Sequence, residues 1–154
     1  MTLRIDVIAH DDPDGARVVN AAPLVGVDGL TGCRVFRVYH VDGEISSDEV
    51  ARLCASVLVD PVVDRHSVGA APAIEGRAVE VAPMAGVTDQ DARELERAAA
   101  QLGFPPIQVS TARRYDLIGD LDDTDVAVLT RRLLANDTIE RSVEGELAPV
   151  FAGE

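Results

Sequence analysis

The chain has 154 residues, enough for one ordinary domain or for two half-size units that share a core. Its 27 acidic residues against 14 basic ones give a formal net charge of −13, a surface that repels phosphate backbones and anionic lipid and so argues against nucleic-acid partners. No apolar run approaches the roughly 18 residues of a membrane span, and the opening M-T-L-R-I-D lacks a signal peptide's apolar core, so a cytoplasmic protein without membrane contact is expected.

Leu3 to Ala9 alternates apolar and polar residues and then turns apolar, which predicts a strand. Asp11, Asp12 and Asp14 cluster at the start of a helical stretch from about Asp14 to Ala22, which Pro23 should cut or kink. Residues 25–32 hold three glycines and read as a loop; Cys33 to Val41 alternates and reads as a strand that Asp42-Gly43 ends. Ser46 and Glu49 form a capping box for a helix to about Val59, with Val50, Leu53, Val57 and Leu58 on one face and Pro61 as its stop. Val62 to Val68 is a short strand, and 70–76 is a linker of small residues with one Pro and one Gly.

The programme then repeats. Ala78 to Pro83 is a strand, and Thr88 with Asp91 is expected to cap a helix running to Leu102, where Gly103 supplies a left-handed turn. Ala92, Leu95, Ala99 and Leu102 make that helix's apolar stripe. Ile107 to Ile118 is a strand, Asp122 with Asp125 opens the last helix, Leu129, Leu133 and Leu134 face inward, and Thr138 to Val143 closes the set.

The repetition is visible residue by residue at a constant offset of 76, from Arg37/Arg113, Tyr39/Tyr115 and Gly43/Gly119 through Leu53/Leu129 and Leu58/Leu134 to Arg65/Arg141 and Gly69/Gly145. Nine identities fall in the window 37–69, where composition alone gives roughly two or three. The first strands align, Ile5-Asp6-Val7 with Val79-Glu80-Val81, if two residues are inserted before the helix that follows in the second half. The chain is a duplication. Its expected fold is α+β, two β-α-β-α-β halves (1–69 and 77–145, with a tail over 146–154) forming an intramolecular pseudo-dimer with an antiparallel sheet and helices packed on it. A half of roughly 70 residues can scarcely cover its own sheet face and helix stripes, so sharing a core is the expected solution.

L-L-A-N-D-T-I-E at 133–140 resembles the helix end and closing strand of the PurS family, and V-L-V-D-P-V-V-D at 57–64 resembles it again, keeping the Pro. V-E-V-A-P-M-A-G-V-T-D-Q-D-A-R at 79–93 is similar to that family's opening strand, G-V-x-D turn and first helix. PurS is the small subunit of phosphoribosylformylglycinamidine synthase in purine biosynthesis, an ATP- and glutamine-dependent ligase complex. The resemblance implies a non-catalytic subunit without cofactor that bridges the synthase large subunit and the glutaminase subunit for ammonia transfer, and a tandem domain resembling the N-terminus of large single-chain synthases. Pro23 in the first helix and H-D-D-P-D-G at 10–15 depart from the family pattern.

Arg37, Tyr39, Arg113, Arg114 and Tyr115 are the candidate partner-interface residues, since Arg and Tyr are enriched at binding hot spots. The structural alternative is a sheet carrying Arg on its solvent face and Tyr on its core face. H-D-D-P-D-G resembles the first metal motif of DHH-type phosphoesterases, but His40 and His66 stand in no comparable cluster, and an acidic helix cap is the preferred reading. Cys33 and Cys54 have no metal-ligand spacing and read as free thiols. Nucleophile-elbow, P-loop and C-x-x-C patterns are missing, so neither a catalytic residue nor a metal ligand is assigned. Two other readings stay open: a small-molecule-binding regulatory α+β module, and a DHH-like metal phosphoesterase fragment.

Overall fold

A computed structural model describes residues 2–152. The elements in chain order are β1 (Thr2–Ala9), α1 (Pro13–Ala21), β2 (Leu30–Gly43), α2 (Ser47–Leu53), β3 (Asp64–Val68), β4 (Arg77–Pro83), α3 (Gln90–Gln101), β5 (Ile107–Gly119), α4 (Asp123–Leu129) and β6 (Glu140–Glu144). The strands form one antiparallel sheet in the order β3-β1-β2-β5-β4-β6. The fold is α+β, as expected.

Local chemistry sets the boundaries. Both capping boxes close: Ser46 accepts from the Glu49 N–H while Glu49 accepts from the Ser46 N–H, and Asp122 and Asp125 do the same. In α3 the cap is Asp89 rather than Thr88; its carboxylate takes the Ala92 N–H at 3.0 Å. The α-helix ends at Ala21, cut just before Pro23 as expected, and the Pro lies in a 3₁₀ turn over Ala22–Val25 that Gly26 ends at φ 83°. Gly103 adopts φ 83°, the left-handed turn expected after α3. Leu102 just before it leaves the helical path and is 52% exposed, so the buried stripe of α3 is Ala92, Leu95 and Ala99 alone. Leu133 is half-buried beside the fully covered Leu129 and Leu134. The sequence pattern gave no sign that α2 and α4 each end in a π-helical turn, Cys54–Leu58 and Thr130–Leu134.

The long pair β2–β5 holds the centre. Arg37 lies opposite Arg113, its counterpart at offset 76, and Val35 lies opposite Tyr115 as Tyr39 lies opposite Thr111. Each residue of β2 therefore meets the same partner position that its counterpart in β5 meets. The flanking pairs agree: Ile5 lies opposite Tyr39 and Val79 opposite Tyr115, which requires the two-residue insertion read from the sequence. The helices cover one face. There Ile5, Val7, Val41 and Val109 pack with Leu53 and Leu58 of the α2 segment and with Ala92, Leu95 and Ala99 of α3. A second cluster joins Val79, Val81, Tyr115 and Leu117 to Ala22 after α1 and to Val126, Leu129 and Leu134 of the α4 segment. Each cluster draws residues from both sides of 70–76.

That sharing predicts how the protein unfolds. Leu53→Ala and Leu129→Ala, at counterpart positions with both side chains fully buried, should each cost about 2–5 kcal/mol. Urea denaturation should show a single cooperative transition shifted to lower midpoint in both variants. Two separated transitions, each sensitive to only one substitution, would show that the halves hold independent cores.

Candidate functional site

Strand alternation places Val35, Arg37 and Tyr39 of β2 and Thr111, Arg113 and Tyr115 of β5 on the helix-bearing face. The helices leave a groove over the β2–β5 pair. It has a volume of about 370 Å³ and is lined by Arg37, Tyr39, Thr111 and Arg113, with Asp14 and Asp91 from the first turns of α1 and α3. A second cavity of about 360 Å³ shares Asp14 and Arg113 and adds Arg17, Val35 and Tyr115. Four of the five candidate interface residues therefore come together here.

The caps of α1 and α3 fix the two rims by one device used twice. Asp12 accepts from the Gly15 N–H at 3.2 Å and from the Val35 N–H of β2 at 3.2 Å. Asp89 accepts from the Ala92 N–H at 3.0 Å and from the Thr111 N–H of β5 at 2.8 Å. Each carboxylate thus closes a helix start and satisfies a strand donor beyond the end of β1 or β4, pinning helix to sheet. Asp12 adopts φ 43° to do so, a left-handed backbone that Asp tolerates better than most residues.

The two central arginines act as ties. Arg37 Nη2 donates to the Leu58 carbonyl at 3.2 Å and to Asp64 at 2.9 Å. Arg113 Nη2 donates to the Leu134 carbonyl at 3.0 Å, and both its terminal nitrogens reach Glu140. The π turns aim those carbonyls inward, so each guanidinium binds the end of a helix to the start of an edge strand. Burial on its own raises the Asp64 pKa, but the Asp60 N–H and Arg37 outweigh it and hold the carboxyl below its ordinary value. Glu140 behaves alike: burial raises it, and Arg113 with the Asn136 N–H brings it down further. Arg113 also donates from Nε to the Tyr115 hydroxyl at 2.9 Å, and Tyr115 is buried in the second core cluster. Tyr39 is half-buried against the first cluster, and burial raises its pKa.

Arg114 points the other way. It is 1% exposed, on the sheet face without helices, and it donates to Asp116 and to the Pro72 and Ala73 carbonyls of the linker. Arg34 joins Asp116 at 2.7 Å, and the Glu75 N–H also reaches that carboxylate. Further along the same face Arg4 pairs with Asp6 and Glu80, while Glu80 takes the Leu147 N–H of the tail at 2.9 Å. Sequence reasoning missed this layer. Arg4, Asp6, Glu80, Arg114 and Asp116 alternate with apolar residues as a solvent face would, and only the linker and tail lying over them bury them.

His10, Asp11 and Asp14 are exposed, and the Asp12 carboxylate is engaged by two backbone donors. Among the described residues no three His, Cys, Asp or Glu side chains are grouped to hold a metal ion. Burial, with Asp12 and Asp116 nearby, pushes the Cys33 thiol up to about 12, and burial raises Cys54 as well, so neither is a thiolate at neutral pH. Comparison with known proteins finds no family model that matches the chain and no curated protein that matches it.

The Arg113 tie yields a prediction. Arg113→Met should destabilise by about 1–3 kcal/mol at neutral pH, because Glu140 and the Leu134 carbonyl lose a charged donor. Glu140 has a folded pKa below its unfolded one, so its stabilisation is complete above the unfolded value of about 4.3 and is lost as pH falls through the folded value. The loss from Arg113→Met should therefore shrink between pH 6 and pH 3 in denaturant titrations. A loss that is constant across that range would remove the ion pair from the explanation.

Proposed function

We propose that this chain is a non-catalytic, PurS-like assembly subunit of a phosphoribosylformylglycinamidine synthase complex, with its two halves standing in for the two copies of a homodimer. The observation that carries the reading is the β2–β5 register, in which Arg37 meets its own counterpart Arg113. Two identical chains joined edge to edge across a twofold axis would pair in this way. Linking them removes the concentration dependence of the pairing and lets the halves diverge. Divergence is visible at Val38 and His40, whose counterparts are Arg114 and Asp116. Two unlike halves suit two unlike partners, the synthase large subunit and the glutaminase subunit. Contact with them belongs to the exposed groove rim, Arg37, Asp14 and Asp91, while Arg114 and Tyr115 serve the interior.

The volume of the same groove favours a second reading, a regulatory module that holds a small effector between the helix starts of α1 and α3. A metal phosphoesterase has less support, because the Asp12 carboxylate already accepts from Gly15 and Val35.

Reconstitution separates these readings. With the large subunit and glutaminase present, omitting this chain should abolish glutamine-dependent synthesis and leave ammonia-dependent synthesis intact. Charge reversal at the exposed rim, Asp91→Lys, should weaken assembly tenfold or more while the fold persists. Equal glutamine-dependent rates with and without the chain would refute the assembly role, and saturable binding of a metabolite in the groove would then favour the regulatory one.

A further inference from the structure

Arg37 and Arg113 are counterparts that tie a helix end to an edge strand in the same way, but the rest of each guanidinium is used differently. Arg113 spends all three nitrogens inside the chain: Nη1 and Nη2 on Glu140, Nη2 also on the Leu134 carbonyl, and Nε on the Tyr115 hydroxyl at 2.9 Å. Arg37 uses Nη2 alone, on Asp64 and the Leu58 carbonyl. Its Nε and Nη1, and the hydroxyl of Tyr39, make no hydrogen bond among the described residues. The difference starts at the carboxylate. Glu140 takes both terminal nitrogens of Arg113, and Nε is then turned to Tyr115; Asp64 is one methylene shorter and takes Nη2 only. The tyrosines differ in the same sense, since Tyr115 is buried and Tyr39 is half-buried.

The open pair lines the central groove, where the Arg37 side chain is 52% exposed. The carboxylates of the groove do not answer it. Asp14 is held by Arg17 at 2.6 Å, Asp89 is taken up by Ala92 and Thr111, and Asp91 lies in the first turn of α3, where the positive end of the helix favours it. The second half shows the same two residue types closed on each other, and the first half leaves them facing water. A guanidinium edge beside a phenol offers only N–H and O–H donors to an incoming charged acceptor, and a carboxylate can accept from both. Resting on the assembly role above, we propose that the first half alone carries the docking contact in this groove. Arg37 and Tyr39 together grip a carboxylate side chain of a partner subunit, while Arg113 and Tyr115 serve the fold. Arg and Tyr are among the residue types that most often anchor interfaces.

Deleting one hydroxyl at each counterpart position tests the assignment. Tyr39→Phe should leave the urea midpoint of the chain unchanged and weaken its binding to the large subunit or to the glutaminase about tenfold or more, the loss of a hydrogen bond to a charged acceptor. Tyr115→Phe should do the reverse, lowering the midpoint because Arg113 Nε loses its acceptor, with both subunit affinities retained. Arg37→Lys should weaken the same subunit interaction as Tyr39→Phe, because an ammonium kept on Asp64 cannot also present the second edge of a guanidinium. A wild-type chain that binds neither subunit would end the assembly role and this contact with it. Wild-type binding that Tyr39→Phe leaves intact would overturn the contact alone. So would a midpoint lowered as much by Tyr39→Phe as by Tyr115→Phe, since the Tyr39 hydroxyl would then have its partner inside the chain.

Discussion

Two guanidinium groups face one another across the middle of the sheet, at Arg37 and Arg113, and the rest of the structure is arranged to make that tolerable. Like charges directly opposite on paired strands repel. Each is therefore drawn outward by a carboxylate on an edge strand, Asp64 or Glu140, and by a carbonyl at a helix end, Leu58 or Leu134. An ordinary α-helical ending would leave those carbonyls directed along the helix axis. The π turns redirect them, and the same turns bury Leu58 and Leu134. The same two ties thus reach the helix ends, the starts of the edge strands and the turns that carry two core leucines.

The opposite face of the sheet solves a different problem. Three cations, Arg4, Arg34 and Arg114, are set against Asp6, Glu80 and Asp116 beneath the linker and tail. Removing ionised groups from water is costly unless their hydrogen bonds are met inside. Here much of what meets them is main chain: the carbonyls of Pro72 and Ala73, and the N–H groups of Glu75 and Leu147. Phe36 lies under Arg34 and Arg114 and supplies an aromatic face to both. The network therefore specifies the path of two irregular segments that have no ladder of their own.

What the sequence revealed and what it hid divide along physical lines. Short-range signals were readable: the Ser46 and Asp122 capping boxes, the turn at Gly103 and the burial of Leu53 and Leu129 depend on residues a few positions apart. The grouping of Arg37, Tyr39, Arg113 and Tyr115 follows from their i, i+2 spacing and the β2–β5 register, and it puts Arg and Tyr on one face rather than on opposite ones. Three features were hidden. Asp89 displaced Thr88 as cap because Thr111, 22 residues away, also needed its carboxylate. The π turns end at carbonyls that accept from Arg37 and Arg113, partners 21 residues away in sequence. The polarity of Arg114 signals exposure in any local pattern, and only the linker folding back over it makes it interior.

The asymmetry between the halves bears most directly on function. Along the helix face the counterparts keep their chemistry, since Arg37 and Arg113 make the same two kinds of bond. Along the other face they do not: Val38 and His40 became Arg114 and Asp116, and only the second pair grips the linker. A homodimer cannot differ between its two copies, because one sequence serves both. A duplicated chain can, and here the change sits where a covalent connection needs anchoring. The conserved ties hold the two halves in register, while the changed face secures the linker between them. Asp14 and Asp91, exposed on the groove rim, take no part in either set of bonds.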